Sequence, residues 1–177
     1  VPEGRWDPEL YYDADPHAPE KTYSKIGAWV RDFDWNPLAW KLPIPPLVSS
    51  AMDDGQKWAV ACTRAALIDA GWPDRPLDNE RTAVILGNAM AGEKHYLTAM
   101  RIHFPEFARV LEESPSFAAL PLEVRADLLA EAHERMRAAT PPITEDTMPG
   151  ELANVIAGRI ANLFDFRGPN FVTDAAC

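Results

Sequence analysis

The chain has 177 residues, 47% of them hydrophobic and 25% charged, the make-up of one globular domain of ordinary size. Its formal net charge of -10 argues against a nucleic-acid binder, which needs lysine and arginine to displace counterions from phosphate, and it leaves no basic face for anionic lipid. No apolar run approaches the length of a membrane span, and Val1-Pro2-Glu3-Gly4-Arg5 does not read as a signal peptide. The two cysteines, Cys62 and Cys177, form no spaced framework, so a reducing, cytoplasmic setting is expected.

Residues 1–51 hold many prolines and eight large rings, among them Trp6, Tyr12, Trp29 and Trp40. Proline fixes φ and removes a donor, so this stretch is expected as extended chain and turns. That much aromatic area is too apolar for a solvated linker, so it reads as an ordered arm packed on a surface.

A helix is expected over 53–70. Trp58, Cys62, Ala65, Ala66 and Asp69 recur at three- and four-residue steps, Asp53 and Asp54 suit its positive end, and Gly71 then Trp72-Pro73 stop it. Cys62 falls on that stripe and is expected to be a buried, inert thiol. Ala83-Val84-Ile85-Leu86 reads as the centre of a short buried strand. Gly87, Ala89, Ala91 and Gly92 then mark a tight turn. A phosphate loop needs more glycines and a lysine at set spacing, which Glu93-Lys94 does not supply, so no nucleotide site is expected.

Residues 94–139 read as helix in two pieces. Tyr96, Met100, Phe104 and Phe107 form one apolar face; Leu120, Val124, Leu128 and Leu129 form another, after a break at Ser114-Pro115. His95, His103 and His133 lie here without the four-residue spacing that places two metal ligands on one face, so no metal is expected. A third helical run spans 150–164, with Leu152, Val155, Ile156, Ile160 and Leu163 as its stripe. Its small residues Ala153, Ala157, Gly158 and Ala161 permit another backbone to approach closely. Gly168-Pro169 turns the chain into a second strand, 170–174, which ends in Asp174-Ala175-Ala176-Cys177.

A strand that runs into small residues and a cysteine can hold a nucleophile at a sharp turn, and a following helix would favour the thiolate. Taken alone, this leaves two readings of Cys177 open: a catalytic thiol, or a small hydrophobe at a strand end.

The stretch from Asn154 through Arg159, Gly168-Pro169 and the strand to Asp174-Ala175-Ala176-Cys177 resembles the active-site approach of the β-ketoacyl synthases. Arg5-Trp6-Asp7, Tyr11-Tyr12-Asp13, Gly27, Asp32-Phe33-Asp34, Met52-Asp53 and the helix ending Ala65-Ala66-Leu67-Ile68-Asp69-Ala70-Gly71 are similar to the same family, in order and rough spacing. Where many modular polyketide synthases carry Asp-Thr-Ala-Cys and Asp-Pro-x-Gln-Arg, this chain has Asp174-Ala175-Ala176-Cys177 and Asp53-Asp54-Gly55-Gln56-Lys57. Those departures, with the long helical segment, look more like synthases of iterative lipid systems such as polyunsaturated fatty acid or glycolipid synthases.

The resemblance implies the N-terminal half of an α/β domain of the thiolase-like, layered α/β/α fold. The arm at 1–51 would precede a core portion at 52–177 with a helical insertion at about 94–147. It implies Cys177 as the nucleophile that accepts the acyl group, its backbone N–H forming part of the oxyanion hole, with the family's two histidines and lysine following later in the chain. The implied partners are an acyl carrier protein, acyl and malonyl thioesters, and a second copy in a homodimer; no cofactor is implied. The alternatives are a thiolase-like condensing enzyme that uses coenzyme A thioesters and a non-catalytic partner protein that shapes chain length. The Arg5-Trp6-Asp7 and Tyr11-Tyr12-Asp13 arm argues against the first, and the presence of Cys177 against the second.

Overall fold

The computed structural model describes residues 1–89 and 92–174. Contacts divide the chain into two compact units, one from Val1 to Asp34 and one from Trp35 onward. In the first, Asp7 caps a single-turn helix α1 (Pro8–Tyr11) by accepting the Glu9 N–H at 2.9 Å. Tyr12 and Thr22 form an isolated bridge. Lys25 Nζ sits 4.0 Å from the centre of the Tyr12 ring, and Arg5 lies over Trp29 while donating to the Val30 carbonyl at 2.8 Å. The expected arm does not end as one extended piece at residue 51. Trp35 to Ala51 belong to the second unit and include helix α2 (Pro46–Ala51), which begins with proline at its first position, where the missing N–H costs nothing.

Helix α3 (Asp54–Asp69) forms as the sequence pattern requires, with Asp53 as its N-cap. Gly71, at φ 95°, ends it in a Schellman motif: Trp72 N donates to Leu67 O at 2.9 Å and Gly71 N to Ile68 O at 2.9 Å. The buried face differs from the expected one. Gln56, Val60 and Leu67 point inward, whereas Trp58 is 37% exposed and Cys62 is exposed. Val60 and Leu67 join the buried cluster to which helix α9 (Val155–Leu163), packed against α3, contributes Ile156, Ala157, Ile160 and Ala161.

Strands β1 (Val84–Gly87) and β2 (Asn170–Thr173) pair in parallel, with Val84 opposite Asn170 and Gly87 opposite Thr173. Between them run α4 (Glu93–Ile102), α5 (Phe104–Glu113), α6 (Pro115–Ala118), α7 (Leu122–Ala139), α8 (Thr147–Glu151) and α9 (Val155–Leu163). Helix α9 packs on both strands and against α3. The core is this junction: Met52, Val60, Ile156, Ala157 and Ile160 are at most 4% exposed, and Val84, Phe164 and Phe166 join them. Trp72 meets Phe164 edge to face at 6.2 Å.

The strand centred on Ala83-Val84-Ile85-Leu86 reads from the sequence as buried. Successive side chains in a strand point to opposite faces, and only one face is covered: Val84, Leu86 and Val172 lie on the α9 side, while Ile85 and Phe171 are 57% and 49% exposed. The run from 94 to 139 makes four helices rather than two pieces, because Pro105 and Pro115 each sit in the first turn of a new helix and Pro121 immediately precedes the last. Its apolar faces are open, with Tyr96, Phe107 and Val124 exposed. The run over 150–164 breaks at residues 152–154, where Leu152 leaves helical geometry, so α8 and α9 are separate.

Candidate active site

Strands β1 and β2 finish together at one end of the sheet, and in the sequence β2 is followed by Asp174-Ala175-Ala176-Cys177. Asn88 N donates to Thr173 O at 3.1 Å, so the two chains leave the sheet side by side. Open α/β sheets place their ligands at this carboxyl end of the strands. Cys177, with Ala175 and Ala176 before it, lies outside the described residues, as do Met90 and Ala91.

Three helix termini meet beside Asn88, and Asp53 joins two of them. Its carboxylate is almost wholly buried, with Oδ1 accepting Gly55 N–H at 2.9 Å and Oδ2 accepting Lys94 N–H at 3.1 Å. One side chain therefore caps the positive ends of both α3 and α4. Gly92 is what lets this happen: a Cβ at that position would fall on the Asp53 carboxylate. Asp53 N in turn donates to Gly150 O at 2.8 Å, and a Cβ on Gly150 would strike the Ala51 carbonyl. Gln56, one turn on, donates to Pro149 O at 2.9 Å and to Leu152 O at 3.2 Å. These bonds fix the start of α3 against the break between α8 and α9. A cleft of about 260 Å³ opens here, lined by Asp53, Gln56, Asn88, Gly92, Glu151 and Ile156.

Glu151 carries the second buried carboxylate. Thr98 Oγ1 donates to its Oε1 at 2.5 Å, and His95 Nδ1 stands 3.4 Å from its Oε2. Burial lowers the Lys94 ammonium pKa, Lys57 lowers it further, and Asp54, Asp53 and Glu151 oppose the shift. Burial likewise lowers Arg159, whose guanidinium reaches Pro149 O at 3.3 Å. Of the other histidines, His133 stacks on Phe104 at 4.8 Å and His103 stands 3.7 Å from Glu106. Among the described residues no group of three His, Cys, Asp or Glu could hold a metal ion, and no helix is long and apolar enough to cross a membrane.

The sequence places Asp53 at the positive end of α3 but gives no sign that it also caps α4, and it singles out Gln56 only as part of a motif and Glu151 not at all. The signal for Gln56 was present in the family-like Asp53-Asp54-Gly55-Gln56-Lys57. Nothing local marks Glu151, since a lone glutamate in a helical run reads as a solvated face.

The whole chain, residues 1–177, matches the family model described as the N-terminal domain of β-ketoacyl synthase. Among curated relatives it is 28% identical over 178 residues to the polyketide synthase PksL of Bacillus subtilis, with the whole chain covered but only 3% of that protein. It is 28% identical over 177 residues to a polyunsaturated fatty acid synthase component of a Thraustochytrium species, again with the whole chain covered and 6% of that protein. It is also 28% identical over 180 residues to a phenolphthiocerol/phthiocerol polyketide synthase component of Mycobacterium tuberculosis, with the whole chain covered and 9% of that protein. The chain thus spans under a tenth of each, and the equal identities do not separate polyketide from lipid assembly. A parallel strand pair, a helix packed across it and a match along all 177 residues agree: this chain belongs to the β-ketoacyl synthase family, in its N-terminal domain.

Proposed function

We propose that these residues form the N-terminal half of a condensing domain that takes an acyl chain from a carrier protein onto Cys177 and extends it with a malonyl-type unit. The thiolate attacks the acyl thioester carbonyl, a tetrahedral oxyanion forms, and the carrier thiol leaves. A malonyl thioester then loses carbon dioxide, and the resulting enolate attacks the acyl-cysteine to give a 3-ketoacyl thioester. A thiol suits this exchange because it is a good nucleophile at modest pKa and also a good leaving group. The Cys177 backbone N–H is one donor to the oxyanion. In this reading 1–51 is an arm, 52–177 a core portion with the helical insertion at about 94–147, and the layered thiolase-like fold is completed by further chain that covers the open face of Ile85 and Phe171. The domain works as a homodimer in the cytoplasm.

The observation that carries the reading is the family match over all 177 residues, which reaches the Asp174-Ala175-Ala176-Cys177 end. The test is to give the full-length protein an acyl carrier and a malonyl carrier and to follow carbon dioxide release with formation of the 3-ketoacyl carrier. Carbon dioxide without a condensed product, or neither, would count against it.

A further inference from the structure

A second cleft, of about 390 Å³, lies on the other side of Glu151, between α2, the first turn of α4 and the approach to α8. Leu47, Pro141 and Pro142 give it apolar walls, Glu145 and Asp146 give it an acidic rim, and Lys94 lines it. The Lys94 ammonium donates to the Ser50 backbone carbonyl, a neutral partner. The other lysines are placed differently. Lys57 pairs with Asp54 at 2.9 Å, Lys25 rests on the Tyr12 ring, Lys21 donates to the Leu10 carbonyl in an exposed loop, and Lys41 is exposed. Lys57 is also partly buried but is paired with Asp54, whereas Lys94 opens onto an apolar-walled space large enough for a short acyl group.

We propose that Lys94 is a self-acylation site for short, neutral acyl thioesters. The free ε-amine attacks the thioester carbonyl. An amide C–N bond forms, the C–S bond breaks, and the thiolate leaves and takes up the proton that the amine gives up. Desolvation favours the uncharged amine that this step needs. The acidic rim, with Glu151 behind it, repels a malonyl carboxylate, so acetyl-type donors react in preference to malonyl donors. Acylation removes the positive charge facing Asp53, Asp54 and Glu151, and so couples acyl supply to the α3–α4 junction. The inference rests on the proposed function for the source of its donors in the cell; the chemistry at Lys94 does not use Cys177.

The test incubates the full-length protein, and its Cys177→Ala and Lys94→Arg variants, with acetyl-coenzyme A or malonyl-coenzyme A at pH 8, followed by digestion and peptide mass measurement. Acetyl occupancy at Lys94 should exceed that at each of Lys21, Lys25, Lys41 and Lys57, because Lys94 is the lysine that lines the apolar-walled cleft. It should persist in Cys177→Ala, exceed malonyl occupancy, and be lost in Lys94→Arg. Even labelling of the five lysines, labelling led by Lys41, no lysine label, malonyl labelling equal to acetyl, or loss of the Lys94 label in Cys177→Ala would each overturn it. Failure of condensation with Lys94 still labelled would count against the proposed function alone.

Discussion

Removing the Asp53 carboxylate should release α4 as well as α3. Asp53→Ala deletes the cap on Gly55 N–H, a loss of about 1 kcal/mol. It also strands the part-buried Lys94 N–H, at about 1–3 kcal/mol. The sum is about 2–4 kcal/mol of stability, with about 2 kcal/mol of it local to the first turn of α4. Amide exchange reads such local opening directly, and 2 kcal/mol corresponds to a roughly 30-fold faster rate for the amides of 93–96. Asp53→Asn should show about half the effect, since its amide keeps one acceptor and presents a donor to the other N–H. Gly92→Ala should mimic Asp53→Ala, because the new methyl takes the place of the carboxylate. The decisive comparison is the double variant. Once Asp53 is alanine, the space is free and Gly92→Ala should add almost nothing, which makes the pair strongly non-additive. Additive effects, or unchanged exchange across 93–96 in Asp53→Ala, would refute the shared cap.

Ile160→Ala, at a core position only 1% exposed, should cost about 2–5 kcal/mol by chemical denaturation; a cost under about 1 kcal/mol would mean the α9 junction is not the core. Arg101 Nη1 donates to Thr140 O at 3.0 Å, Arg137 O at 3.2 Å and Pro141 O at 3.3 Å, capping the end of α7. Arg101→Ala should therefore speed amide exchange over 136–140 by about tenfold and leave α9 unchanged, and equal exchange in both proteins would dismiss the cap. The Lys94 pKa is lowered on folding from 10.5, so its charge costs stability below the folded pKa. From that pKa up to 10.5 the unfolded chain binds more protons, and stability rises with pH. Wild type should gain on Lys94→Arg over that alkaline interval, since arginine stays charged, and a flat difference would contradict the assignment.

The parts of this fold that were legible in the sequence are those set by local chemistry. Asp53 capping, the Gly71 stop and the Gly168-Pro169 turn into β2 each follow from backbone rules that need no knowledge of neighbours. The parts that were not legible depend on partners far along the chain. Cys62 and Val60 both lie on helical stripes of α3, and which of them is buried depends on where α9 packs, a contact that the local pattern does not carry. Ile85 and Phe171 read as buried strand residues because hydrophobicity does not say whether the second face finds a cover within this chain. Glu151 gave no signal because its partners, Thr98 and His95, are some fifty residues away. At the candidate site, Asp53 was half read, and Cys177 rests on the motif that it shares with the family.

Cys62 is exposed, so burial does not rule it out as an acyl acceptor, and locating the acyl group tests the central claim most directly. The full-length protein is incubated with an acyl thioester, quenched at low pH and digested, and the cysteine peptides are weighed. The adduct should appear on the peptide ending in or spanning Cys177, vanish with condensing activity in Cys177→Ala, and be unaffected in Cys62→Ala. A thioester on Cys62, or full condensing activity in Cys177→Ala, would contradict the account.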